Sequence, residues 1–145
     1  MSERRSPRSR DAYAEFQTLQ TRWNDNDQFG HLYNVTYHEL FDEAMNRSLG
    51  ARGMLNHRSG APIQVVVENG CTYFSEVSYP DLLQVGLRVA AMGNSSIRLE
   101  MGLFREGEDR ESAQAHFVLV TVDSRTHRPT PTPADQRKAL EQLTL

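Results

Sequence analysis

Cysteine is nearly missing from this 145-residue chain. Cys71 stands alone, so no internal disulfide can form, and a reducing compartment such as the cytoplasm is expected. No apolar run approaches the roughly 18–20 residues of a membrane span, and the first residues lack the apolar core of a secretory signal. Charge of one sign is unevenly placed along the chain. Residues 1–10 hold Arg4, Arg5, Arg8 and Arg10 against Glu3, whereas the whole chain carries a net −3. The body is therefore acidic, which argues against a nucleic-acid-binding domain. The basic leader has no aromatic residue and no amphipathic pattern, and a disordered, solvated tail over residues 1–12 is expected. There is no Gly-x-Ser-x-Gly elbow for a serine nucleophile, no Gly-rich phosphate or dinucleotide loop, and no internal repeat.

What remains is an ordinary globular composition, 38% hydrophobic and 24% charged, with length for one core and no room for two. Residues 13–145 are read as a single domain. Residues 13–23 make a first strand around Phe16 and Leu19, and residues 24–30 make a loop of turn-forming Asn, Asp and Gly. From Val35 the apolar period becomes helical: Tyr37, Leu40, Phe41, Ala44 and Met45 recur at spacings of three and four. Asn34 is placed to cap this helix, Glu43 and Arg47 form an i,i+4 pair, and Gly50 with Gly53 end it.

After a polar connector over residues 54–61, alternation of period two takes over. Ile63, Val65, Val67, Cys71, Tyr73, Ser75 and Val77 predict one long strand bulged at Gly70. Leu83 to Ala91 and Ile97 to Leu103 form a hairpin about Gly93-Asn94. Ala113 to Thr121 is apolar on both faces in part, as a central strand would be. Pro129, Pro131 and Pro133 make an extended connector. A short helix then follows, with Pro133 at its first position and Asp135 in its first turn. One long helix and an antiparallel meander without βαβ units make the class α+β. A single helix covers one face of such a sheet, and the exposed edge predicts a homodimer or a dimer of dimers.

Chemistry concentrates in residues 25–34, where Asp25, Asp27, Gly30, His31 and Asn34 fall together just before the helix. Loop aspartates often serve only as turn formers, and a lone histidine near a helix start often only as a hydrogen-bonding group. A calcium loop fails, because Phe29 and Thr36 stand where an oxygen ligand and a bidentate Glu are needed. A phosphatase-type Asp-x-Asp would follow a buried apolar strand, and Thr21-Arg22-Trp23-Asn24 is not one. A transition-metal site from Asp25, Asp27 and His31 lacks an evident third strong ligand. His38, His57, His116 and His127 show no partner pattern, and Cys71 reads as a small buried hydrophobe.

The run Asp25-Asn26-Asp27-Gln28-Phe29-Gly30-His31-Leu32-Tyr33-Asn34-Val35-Thr36-Tyr37, followed by Phe41-Asp42-Glu43-Ala44, resembles the signature of the 4-hydroxybenzoyl-CoA thioesterase-like hotdog proteins. The resemblance covers about residues 15–140. It implies a long central helix wrapped by an antiparallel sheet of five to six strands, dimeric through sheet extension. It also implies hydrolysis of acyl-CoA thioesters without metal or organic cofactor. Asp27 then falls on the family's general base or nucleophile, and the Asn34 amide on the group that polarises the thioester carbonyl. Gly30, His31, Tyr33 and Tyr37 are the implied substrate-binding neighbours, and residues 54–60 of a partner copy would flank the pantetheine arm. Arg88, Arg98, Arg125 and Arg128 are candidates for the CoA phosphates. Tyr33 departs from the usual Asn, and Asn34 and Trp23 depart from the His and Tyr of a short-acyl subgroup. A non-catalytic hotdog binding acyl-CoA or an acyl carrier protein is the alternative.

Overall fold

The structure is a computed structural model and describes residues 4–55 and 60–145. Five strands form one antiparallel sheet: β1 (Glu15–Gln20), β2 (Ile63–Tyr73), β3 (Leu82–Met92), β4 (Ser96–Arg105) and β5 (Ala113–Val122). Their spatial order is β1-β3-β4-β5-β2. The long helix α1 (Asn34–Ala51) lies on one face, and α2 (Ala134–Glu141) closes the chain. This is the expected α+β hotdog arrangement, with five strands.

The sheet's inner face follows the period-two pattern. Leu83, Val85, Leu87 and Val89 of β3 are buried, as are Ile97, Leu99, Met101 and Leu103 of β4. They meet Tyr37, Phe41, Ala44, Met45 and Leu49 of α1 in one continuous core. Phe41 is fully buried, and its truncation to Ala would cost about 3–5 kcal/mol. The predicted Glu43–Arg47 pair forms at 3.1 Å.

Several boundaries differ from the expectation, each for a local reason. The first strand ends at Gln20, not Trp23, because the Asp25 side chain takes the Arg22 N–H at 2.7 Å and turns residues 23–25 into a short 3-10 helix. Asn34 is the first residue of α1 and not its cap; Tyr33 caps it with extended backbone and no side-chain bond. The helix runs through Gly50 to Ala51, and Gly53 makes the exit turn at φ 73°. The bulge in β2 lies between Val66 and Glu68. Gly70 instead stays in register opposite His116, whose ring fills the space a Cβ would take. The strand ends at Tyr73, short of Val77, and the Phe74 and Ser75 amides both donate to the Ser112 carbonyl. Pro133 is the N-cap of α2 and not its first residue.

The leader also departs from the expected tail, at least from Arg8 onward. Arg10 donates to Gln84 and to the carbonyls of Arg105 and Glu108, and lies 4.8 Å from the Phe104 ring centroid. Tyr13 crosses the outer face of the sheet over Gly86 and Gly102, which face each other across β3 and β4. Its hydroxyl bonds the buried Glu111 carboxylate, which also accepts from Gln114 at 2.6 Å. Those two glycines make the seat for the ring.

Candidate active site

Asp25 and Asp27 do different work. Asp25 is 2% exposed, and its oxygens accept from the Arg22 amide and from the Arg22 guanidinium at 2.8 and 3.1 Å. Its backbone carbonyl accepts the Tyr33 N–H at 2.8 Å. Asp25 therefore ties the loop's two ends together from a buried position.

Asp27 opens the next turn. Its Oδ1 accepts the Phe29 amide at 2.8 Å and the His31 amide at 3.3 Å, while its own N–H donates to the His31 carbonyl at 2.7 Å. Among the described residues Oδ2 has no partner. Gly30 sits at the corner with φ 81°, a left-handed backbone that favours glycine. A Cβ there would meet open space, so the turn and not a close approach demands glycine. Leu32 then docks the loop by donating to the Val77 carbonyl at 2.7 Å.

The start of α1 faces the same place. No acceptor among the described residues takes the Asn34 amide, and no side chain caps the helix. An uncapped helix start offers N–H groups and the positive end of a dipole to a negative oxygen. Asp27, His31, Tyr33, Asn34 and Tyr37 line one open cavity of about 470 Å³. Five of the six sequence-derived candidates thus converge, and Gly30 shapes the turn without lining the cavity.

The opposite wall was not legible locally. Tyr73, Phe74, Ser75 and Glu76 arrive from the end of β2 and the segment after it. The rings of Tyr37 and Tyr73 meet edge to face, 4.8 Å apart. Burial pushes both phenols up to about 12, so each remains a neutral donor at physiological pH. Burial likewise pushes the Cys71 thiol up to about 11, which fits the inert role read for it. Glu76 reaches His31 Nε2 at 3.3 Å. A second cavity of about 340 Å³ lies farther along α1 against the start of β2, floored by Met45, Leu49, Met54 and Leu119.

Other candidates are placed elsewhere. Arg88 and Arg98 bind Glu100 at 2.7 and 3.4 Å and do not line the cavity. Among the described residues, no three His, Cys, Asp or Glu side chains group to hold a metal ion. His57 and Arg58 lie outside the described residues.

Comparison with known proteins bears on the fold and the family. The fold superposes on the PA5185 protein of Pseudomonas aeruginosa strain PAO1 with a TM-score of 0.91 at 43% identity, covering 96% of this chain and 97% of that one. A thioesterase from Thermus thermophilus, solved with coenzyme A and Zn, superposes with a TM-score of 0.76 at 25% identity, covering 89% and 93% of the two chains. The uncharacterized protein YsmA of Bacillus subtilis (strain 168) is 26% identical over 114 residues, 78% of this chain and 77% of that protein. The family described as the thioesterase-like superfamily matches residues 21–140. With the match spanning the Asp27 loop, α1, every strand from β2 to β5 and all but the last residue of α2, the chain belongs to the thioesterase-like superfamily.

Proposed function

We propose that this protein hydrolyses acyl-CoA thioesters in the cavity shared by Asp27 and the start of α1. One observation carries the reading: Asp27, with one carboxylate oxygen unpartnered among the described residues, and Asn34, at the uncapped start of α1, line the same cavity. The thioester carbonyl oxygen would accept from the Asn34 N–H, where the helix dipole favours the charge that develops on attack. Asp27 Oδ2 would act on the carbonyl carbon, either by taking a proton from water or by direct attack. Phe29 and His31 amides hold Oδ1, so the carboxylate cannot swing away from this position. Tyr33, Tyr37 and His31 shape the walls, and no metal or organic cofactor is assigned a role.

The working unit in this reading is a dimer. β2 is an edge strand with Val66 and Val67 exposed at 44% and 59%, an unusual apolar edge to leave in water. Antiparallel pairing of two β2 edges would bring the start of one strand beside the end of the other. The Tyr73 end of one copy, with its Asp27 cavity, would then lie near the Ile63 end of the second.

The test is turnover of a panel of aromatic, short and long acyl-CoA thioesters by wild type and by Asp27→Asn. Hydrolysis lost in the variant supports the assignment. Full activity in Asp27→Asn would remove Asp27 from the mechanism. Tight acyl-CoA binding with no turnover would favour a non-catalytic binder instead.

A further inference from the structure

We propose that His31 is the proton donor to the departing thiolate, and that Glu76 is the residue that positions it. This rests on the hydrolase reading of the same cavity. Hydrolysis moves a proton at two places: one leaves the attacking water, and one must reach sulfur as the carbon–sulfur bond breaks. Asp27 serves the first, and a carboxylate that has just taken a proton at the attacking oxygen is poorly placed to serve the second. The cavity supplies a separate group for it.

His31 and Glu76 both line the Asp27 cavity, and His31 Nε2 lies 3.3 Å from Glu76 Oε2. Among the described residues Nδ1 has no partner, so Glu76 holds one ring nitrogen and leaves the other to donate. Both ends of the pair are anchored through backbone. The His31 backbone exchanges two bonds with Asp27, at 2.7 and 3.3 Å, which fixes the point from which the ring extends. Glu76 sits between Ser75, whose amide donates to the Ser112 carbonyl at 3.2 Å, and Val77, whose carbonyl accepts from Leu32 at 2.7 Å. The remaining ionisable lining is Asp27, Tyr33, Tyr37 and Tyr73. The carboxylates that share the cavity with the ring are therefore Asp27 and Glu76. Imidazole is the side chain best suited to hold and release a proton near neutral pH.

The step balances. Asp27 takes a proton from water while the water oxygen bonds the carbonyl carbon. The carbon–sulfur bond then breaks, its electron pair stays on sulfur, and the Nδ1 proton passes to that sulfur. Carboxylic acid and thiol leave, and the proton on Asp27 returns through solvent to the imidazole.

An exposed pair of this kind contributes little to the fold, so removing it leaves the fold standing. The experiment measures kcat and KM on the acyl-CoA that wild type turns over best, for His31→Gln, His31→Ala and Glu76→Gln. Glutamine can still hydrogen-bond Glu76 but cannot deliver a proton. Both His31 variants should lose about 100-fold in kcat with KM changed less than about threefold. Added imidazole should restore at least about tenfold in His31→Ala, and Glu76→Gln should lose about tenfold without rescue. Wild-type kcat in His31→Gln, or a loss in His31→Ala that imidazole does not touch, would overturn the proposal while leaving the hydrolase reading in place. A wild type inactive on every thioester would overturn both.

Discussion

Asp27 and His31 hold each other through two bonds of opposite direction. The Asp27 N–H donates to the His31 carbonyl at 2.7 Å, and the His31 N–H donates back to Asp27 Oδ1 at 3.3 Å. The carboxylate therefore closes its own turn with one oxygen and leaves the other without a partner among the described residues. Structure and chemistry share one side chain but use different atoms of it.

That division separates two substitutions. Asp27→Asn keeps a carbonyl oxygen for the Phe29 and His31 amides, so its melting temperature should stay within about 2 °C of wild type while kcat falls at least about 100-fold. Asp27→Ala removes the acceptor as well, and should cost about a further 1 kcal/mol in stability. Asp25→Ala should behave in the opposite sense. Removing the buried carboxylate that accepts three Arg22 bonds should lower the melting temperature, with a smaller effect on kcat per folded molecule. Thermal melts beside turnover on the same preparations decide it.

The seat beneath Tyr13 gives a prediction far from the site. A Cβ at Gly102 would stand 2.6 Å from the Tyr13 hydroxyl and collide with the Glu111 carboxylate. Gly102→Ala should destabilise by about 1–3 kcal/mol through overpacking. In a Tyr13→Ala background the same change should cost less, and a double-mutant cycle in urea would measure the coupling.

Glu15 gives a pH-dependent prediction. Burial alone would raise its pKa, but hydrogen bonds from Ser48 and Arg52 and the Arg52 charge outweigh it, and the folded value is lowered. A lowered carboxyl stabilises the fold in full above the unfolded pKa of about 4.3, and that contribution drains as pH falls through the folded value. Wild type should therefore exceed Glu15→Gln in melting temperature at pH 7, with the gap closing in acid below about pH 4. A gap that holds constant into acid would contradict the sign.

The exposed edge of β2 predicts an oligomer. Wild type should sediment as a dimer or a multiple of one, and Val67→Lys should shift the population toward monomer, because a lysine on an open edge opposes strand pairing. Sedimentation velocity at several concentrations reads this directly. A wild type that stays monomeric at high concentration would count against sheet extension.

Much of this protein was legible in its sequence because the signals are local. Residues 25–37 form their turn from neighbours in sequence: the Asp27 carboxylate meets amides two and four residues on, and Gly30 supplies the left-handed corner between them. The helical period from Tyr37 to Met45 and the two-residue period of β3 and β4 report which side each residue buries, and the structure keeps those assignments up to Val89, where a register shift leaves Ala91 exposed. Asp27, His31, Tyr33, Asn34 and Tyr37 could be chosen together because one loop and one helix turn carry them all.

Position in three dimensions decided the rest. Tyr73 and Glu76 show no pattern that ties them to Asp27, far back in the chain; they reach it because β2 pairs with β5 and its last residues pass beside the start of α1. β1 ends before its sequence pattern does because one buried carboxylate, Asp25, redirects the backbone, and its burial comes only from packing. The Tyr13 seat needs two glycines that meet across β3 and β4. By itself the sequence determined the Asp27 loop and the class of fold, since contacts between near neighbours survive in any register. Which wall faces that loop, and so what His31 can do, depends on strand pairing between distant residues, which no local pattern encodes.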